Sequence, residues 1–432
     1  MCDNHVIILG DKMVQILDKT APDITIVTTI FEMDKVAFAE RKGIGHPDTL
    51  ADNLAEYLSA TYSRYTLDKF GAILHHNFDK LGILGGKSLV KFGGGEMISP
   101  IRVLINGRIS DKFGDQTIPF HDILISATHS FIYERFGSLI PEDMISIIFN
   151  ISTASSPGHS DENEKSGSSR NFWFQPRGLE DLPEINSLFS NDTSIGCGYY
   201  PLKTIESYIL QLETDLTKGE FADKYDWAGT DVKIMGSDIM GEIEVTLCVP
   251  QISKYVPSLE QYIMNISIIK TYLSQHSKKY LGKEISFNLN TRDDYVKQEL
   301  YLTATGSSIE SGDEGLVGRG NRVNQLISIN SPMSMEGASG KNPVYHIGKL
   351  YYIAAHQISK KIYDEFDGLQ NEVFLVSNSG RALTSPWKTV IKVPEGTKVK
   401  MADLEAFASE QLNNIPLITK QLVANPSTLI IS

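Results

Sequence analysis

Residues 40–52 read Glu40-Arg41-Lys42-Gly43-Ile44-Gly45-His46-Pro47-Asp48-Thr49-Leu50-Ala51-Asp52. Cations, glycines, an imidazole and carboxylates run straight into an apolar series at Leu50, Leu54 and Leu58. That four-residue spacing predicts an amphipathic helix over residues 49–64, with Asp48 and Thr49 as candidate caps. Backbone N–H groups at a helix N-terminus attract anions. An oxygen-bound Mg²⁺ placed there would use Asp48 or Asp52 together with substrate phosphates.

On either side of this junction, helical and strand patterns alternate, the mark of a mixed α/β chain. Helices are predicted over His121–Phe136, Thr204–Leu216, Ser258–Tyr280 and Val344–Phe366. Strands are predicted at Ile73–His76, Ile145–Ile151, Glu242–Val249, Ile285–Asn290, Leu300–Thr305 and Val373–Val376. No fixed-period repeat is present, which excludes solenoids and propellers. Residues 1–39 read as an N-terminal arm or extension, strand-like at Ile24–Ile30, before a catalytic region spanning 40–432. Residues 154–190 form a polar insertion that opens ASSPGHSDENEKSGSS, the composition of a lid or an unstructured loop.

Composition narrows the function classes. The 432 residues carry 40 Lys+Arg against 53 Asp+Glu, a formal charge of −13, so nucleic acid is a poor partner. A pocket can still concentrate a few cations for a small polyanion. Cys2, Cys197 and Cys248 have no CxxC spacing, which excludes a disulfide framework or cysteine zinc site and fits a reducing compartment. No apolar run reaches the length of a membrane span, and the N-terminus lacks a secretory pattern. A cytoplasmic protein with no membrane partner is expected.

Glycine clusters invite phosphate-loop readings that fail on spacing. Gly85-Gly86-Lys87-Ser88 has Leu81 where the loop needs glycine, and Gly318-Arg319-Gly320 lacks the third glycine of a dinucleotide fingerprint. Asp231 and Lys233, two apart, would share one face of a strand. The segment from Thr303 to Lys349 is too polar and glycine-rich for core. Its Arg319, Arg322 and Lys341 are candidates to grip a polyphosphate, arginine by its fork and lysine as a point charge.

These pieces, taken in order, resemble one family. ERKGIGHPDTLAD (40–52), ILHHNFDK (73–80), FGGGEMISPI (92–101), NDTSIGCGYYP (191–201), GTDVKIMG (229–236), TATGSSIESGDEGLVGRGNRVN (303–324) and PMSMEGASGKNPVYHIGK (332–349) resemble the archaeal-type methionine adenosyltransferases, or S-adenosylmethionine synthetases. The resemblance implies an α/β (α+β) fold of three pseudo-threefold-related units of β-sheet covered by helices, interleaved in sequence. It implies a homodimer with active sites at the subunit interface, ATP and methionine as substrates, two Mg²⁺ and K⁺ as activator. The implied reaction is attack of the methionine sulfur on C5′ of ATP, followed by hydrolysis of the expelled triphosphate to pyrophosphate and phosphate. By family position His46 meets the triphosphate near the breaking bond and Asp48 ligates Mg²⁺. Lys233, Arg319 and Lys341 clamp phosphates, Asp231 holds the nucleotide, Asp313 takes the methionine ammonium and Glu96 shapes that pocket.

The sequence departs from the family where the polar insertion replaces a short glycine-rich stretch, at Tyr345 in place of asparagine, and at Ser331 in place of arginine. Two alternatives follow: a related adenosyltransferase with another sulfur or selenium nucleophile, and a catalytically weak ATP-binding paralogue.

Overall fold

The computed structural model describes residues 22–31, 35–154, 172–185 and 187–425, with the backbone of a hairpin, Val6–Leu9 against Lys12–Gln15. Residues 155–171 of the polar insertion lie outside the described residues. Among the described residues, three larger sheets, each with its own hydrophobic core, organise the fold. In the first, Ile145–Ser152, Ile101–Ile109, Gly82–Leu84 and Glu314–Leu316 lie side by side, with His76–Asn77 beside Ile101–Ile109. Helices α1 (Pro47–Phe70) and Phe120–Phe136 cover it, packing Leu50, Leu54, Leu58, Leu124 and Phe131 against Val103 and Ile105.

The second sheet runs Ser286–Leu289, Glu242–Cys248, Lys233–Ile239, Val36–Lys42, Ile327–Ser328. Helices Thr204–Thr217 and Leu259–Leu281 close its core. The third runs Ile195–Tyr200, Asn371–Val376, Lys388–Pro394, Ile24–Thr29, under helices Ile347–Glu365, Met401–Asn413 and Ile415–Ala424. The units are interleaved: the second sheet takes strands from both sides of the first unit in sequence.

Period-two alternation explains why each sheet has one covered face. Ile243, Val245 and Leu247 point into the core while Glu242, Glu244 and Thr246 point out. The open faces keep large apolar side chains: Phe38, Met235 and Ile239 on the second sheet, Leu84, Ile148 and Leu316 on the first. Among the described residues no helix is long and apolar enough to cross a membrane.

Several boundaries differ from the sequence reading. The cap of α1 is His46, with Pro47 at the first position, in place of Asp48 or Thr49; proline's fixed φ suits that position and its missing N–H is not needed there. The strand expected at Ile73–His76 is confined to His76–Asn77. Leu300–Thr305 shrinks to Leu302–Thr303, because the N–H groups of Ala304 and Thr305 go to the Glu310 carboxylate at 2.7 and 2.5 Å. The helix expected from Val344 begins at Ile347, since the Asn342 side chain takes the Val344 N–H. Residues 24–29 form an edge strand parallel to Lys388–Pro394, and strand Val36–Lys42 runs across residue 39 into the first motif.

Candidate active site

The first polar cluster forms where strand Val36–Lys42 turns into α1. Gly43 N–H bonds Val232 O at 2.6 Å, Gly45 N–H bonds Thr230 O at 3.0 Å, and Ser307 Oγ donates to Gly45 O at 2.6 Å. A Cβ on Gly45 would stand 2.3 Å from Thr230 Oγ1 and 2.8 Å from Asp231 N. Glycine is therefore what lets three motifs remote in sequence close on one corner.

His46, Lys42, Asp48, Asp231, Lys233 and Asp313 meet in that corner. Lys42 Nζ binds Asp48 Oδ2 at 2.8 Å and Arg319 O at 2.7 Å. The other Asp48 oxygen accepts from Leu316 N–H at 3.0 Å. Burial works against the Asp48 carboxylate, but the Lys42 and Leu316 bonds hold it below its usual range. His46 Nδ1 accepts from Asp48 N–H at 3.2 Å. Burial and then the Lys42 charge push the imidazole down to about 4, so the ring is neutral at physiological pH. With Nδ1 an acceptor, its proton sits on Nε2.

Asp231 and Lys233 do not share a strand face. The strand begins at Lys233, so the alternation does not reach back to Asp231. Asp231 is buried and accepts from Ser308 N–H at 2.8 Å and Ser308 Oγ at 2.5 Å; burial pushes its carboxyl up to about 6. Lys233 points outward, 3.7 Å from Glu40, with 44% of its side chain exposed, an accessible cation for a ligand. Ser308 Oγ also reaches Asp313 at 3.0 Å. Among the described residues the Arg319 guanidinium has no hydrogen bond or ion pair, while its carbonyl is held by Lys42.

A ladder of acids on α1 organises the remainder. Asp48, Asp52 and Glu56 recur one turn apart, each on a loop from far along the chain. Asp52 takes the N–H groups of Gly318 and Gly320 at 2.8 and 3.1 Å, and burial raises its carboxyl to about 7. Arg322 turns its fork onto the carbonyls of Gly318 and Gly320 at 2.5 and 2.8 Å. These two residues brace the loop that carries Arg319, and of the three α1 acids Asp48 is the one left at the site.

Glu56 accepts from Gly340 N–H at 2.9 Å and pairs with Lys349, which is wholly buried. Ser59 Oγ donates to Lys341 O at 3.3 Å. The Lys341 backbone is thus docked at Ser59, roughly 20 Å along α1 from His46 at 1.5 Å per residue. Lys341 pairs with Glu336 and lines a cavity of about 850 Å³ with His75, Asp79, Lys80, Asp192 and Tyr345. Burial brings its ammonium down to about 8, with Asp79 opposing. The insertion's described end supplies Trp173, Phe174 and Glu184 to this cavity, Glu184 lying 3.2 Å from His75 Nε2.

The structure therefore gathers His46, Asp48, Asp231, Lys233, Asp313 and the Arg319 loop, and sets Lys341 in a second cluster. Glu96 lies exposed on the hairpin Lys87–Lys91/Gly94–Ser99. That hairpin is tied through Ser88 Oγ to Glu310, 2.9 Å away, at the start of the loop leading to Asp313. Lys42, Glu56, Lys349 and Asp192 were not singled out from sequence. The i, i+4, i+8 spacing of Asp48, Asp52 and Glu56 was the available signal for a polar inner face on α1. Among the described residues no group of three or more His, Cys, Asp or Glu forms a ready-made metal cage. A Mg²⁺ held by one carboxylate and substrate phosphates needs none.

A family model described as S-adenosylmethionine synthetase (AdoMet synthetase) matches residues 24–164 and 177–426. The break between the two matched stretches falls inside the polar insertion. The chain is 35% identical over 411 residues to the S-adenosylmethionine synthase of Caldivirga maquilingensis, covering 91% of this chain and 95% of the relative. It is 36% identical over 415 residues to that of Aeropyrum pernix, with 91% and 95% covered. It is similar in fold to an unusual S-adenosylmethionine synthetase from Campylobacter jejuni, with TM-score 0.55, 14% identity, and 92% and 90% of the two chains covered.

Proposed function

The chain belongs to the S-adenosylmethionine synthetase family and is a methionine adenosyltransferase, and we propose that the cluster at the start of α1 handles the departing triphosphate. The family's substrates are ATP and methionine. A thioether is already nucleophilic and needs no general base, so the demand falls on the leaving group. Charge builds on the departing oxygen, and preorganised donors stabilise it, while alignment of sulfur, C5′ and leaving oxygen supplies the rest.

One observation carries this reading: the His46 Nε2–H, the outward Lys233 ammonium and the backbone of Arg319 belong to one corner, at a helix N-terminus. His46 donates to the bridging oxygen as it leaves. Lys233 and Arg319 clamp the phosphates, and Asp231, with Ser308, holds the nucleotide. Asp313 takes the methionine ammonium, with Glu96 bordering that pocket. Asp48 fits as the protein ligand of Mg²⁺, a hard oxygen beside the phosphates, and Asp52 and Arg322 hold the loop. Bound Mg²⁺ would neutralise phosphate charge as a Lewis acid. K⁺ is the activator that the family resemblance implies, with no residue assigned to it.

Lys341 joins this site in a homodimer. Its cluster is some 20 Å along α1 from His46, and both sit near open sheet faces that keep Phe38, Met235, Leu316 and Ile148 exposed. A two-fold pairing of such faces places the Lys341 half of one copy against the His46 half of the other. Triphosphate hydrolysis then follows at the same cations.

The test is His46→Asn. AdoMet formation should fall at least about 100-fold while calorimetric ATP affinity survives. Equal loss of both would make His46 a helix cap only.

A further inference from the structure

On the helix side of the second sheet, remote from both clusters, lies a cavity of about 590 Å³. It opens between helix Thr204–Thr217, the short helix Glu220–Lys224 and one face of Leu259–Leu281. Its walls are aromatic: the Phe221 ring lies 4.7 Å from both Tyr225 and Tyr272, tilted 52° to each. Burial first, and then the charges of Asp215 and Glu220, raise the Tyr272 phenol, while Lys224 and Lys279 line the same cavity. Asp215 is occupied by His276 Nε2 at 3.1 Å and Tyr280 OH at 3.2 Å. Among the described residues the Glu220 carboxylate has no hydrogen bond or ion pair.

A second, independent feature concerns His276. It lines the cavity, is 4% exposed, and its Nδ1 is buried without a partner among the described residues. With the Nε2 proton given to Asp215, Nδ1 is an acceptor lacking a donor, which native interiors rarely leave unsatisfied. None of these groups belongs to the machinery proposed above.

We propose that this cavity is a second, non-catalytic site for an organic cation with a flat heterocycle, occupied by the enzyme's own sulfonium product. Aromatic faces attract onium centres and stack with purines in offset or tilted geometry. Glu220 offers a free carboxylate to the product's ammonium. At the rim, Lys224 and Lys279, whose ammonium groups lie 5.2 and 4.7 Å from the Tyr225 and Tyr280 rings, meet its carboxylate. The purine amine supplies the donor that His276 Nδ1 lacks. The volume is in the range of small-molecule sites. A coupling route exists, because Glu213, two residues before Asp215, holds Arg41 at 2.8 Å, next to Lys42.

The identity of the occupant rests on the proposed reaction, but binding is measured with added product and no turnover. Calorimetry on the full chain should give two equivalents of S-adenosylmethionine per chain, one of them displaced by tetramethylammonium. Tyr225→Ala in the aromatic wall and Glu220→Gln at the exposed rim should each weaken the second equivalent at least tenfold and leave kcat and KM unchanged. One equivalent only, a second one indifferent to tetramethylammonium, or a second one unchanged in both variants would overturn the site. A wild-type chain that forms no sulfonium but keeps the second equivalent would instead refute the reaction.

Discussion

Replacing Glu56 by glutamine removes one charge from a pair sealed off from water. The Lys349 and Glu56 side chains are 0% and 1% exposed, and their contacts are 2.8 and 2.6 Å. The variant leaves the Lys349 ammonium with neutral acceptors only, the glutamine amide oxygen and the Lys341 carbonyl at 2.6 Å. Breaking a buried pair from one side costs about 3–5 kcal/mol. Unfolding entropy of about 2.1 cal/mol/K per residue gives roughly 0.9 kcal/mol/K for a chain this long, so Tm should drop about 4 °C if the chain unfolds as one unit. The double variant Glu56→Gln/Lys349→Met removes both charges and should recover about half of the loss. Burial already lowers the Lys349 pKa even beside Glu56. In Glu56→Gln the folded state therefore holds the proton less readily still than the unfolded chain. Stability then rises with pH through the alkaline range, as the stranded ammonium becomes a neutral amine. Urea and thermal melts at neutral and alkaline pH measure all three effects. A loss under about 1 kcal/mol, or a double variant equal to the sum of the singles, would refute the buried-pair reasoning.

Lys341→Ala should lower both AdoMet formation and phosphate release by about 100-fold or more; unchanged rates of both half-reactions would remove Lys341 from the site. Asp231 holds its proton up to about pH 6 when folded, against 3.8 unperturbed. Its stabilising contribution is thus full below pH 4 and lost as pH rises through 6, worth up to about 3 kcal/mol at 1.36 kcal/mol per unit. Melts of Asp231→Asn should accordingly gain on wild type by up to that amount between pH 4 and 7, and a pH-independent difference would contradict the buried acid. Gly315→Ala would set a Cβ 1.9 Å from the carbonyl oxygen of Pro47. It should cost about 1–3 kcal/mol and lower activity by shifting the Asp313–Arg319 loop; wild-type melting and kinetics would show that the approach is not tight.

The elements that were legible have one-sided burial. Helices Thr204–Thr217 and Leu259–Leu281 and strand Glu242–Cys248 came out within about a residue or two at each end, because their apolar periods face a single core. Strand Val36–Lys42 was illegible as a strand because it ends in Glu-Arg-Lys, which reads as a polar loop. Its charges are buried only because Glu213 and Asp48 neutralise them. Strand Lys233–Ile239 is legible only as the strand proposed to carry Asp231 and Lys233, two residues early, while strand Lys388–Pro394 and the helices Met401–Asn413 and Ile415–Ala424 carry no reading in the sequence. The second of those helices packs against the Ile347–Glu365 unit through Ile415, Ile418 and Leu422.

Family and chemistry are carried by ordered motifs and short-range spacing, so sequence by itself determined them and nominated the polar residues of those motifs. The division of labour among those residues was decided by tertiary structure. Asp52 and Arg322 brace a loop, Asp231 turns inward while Lys233 faces out, and Lys341 lies far down α1 from His46. The physical reason is that each carboxylate's role depends on the donor it meets. For Asp48 the backbone donor sits 268 positions away, and for Asp52 the two sit 266 and 268 away, a pairing that no local pattern encodes.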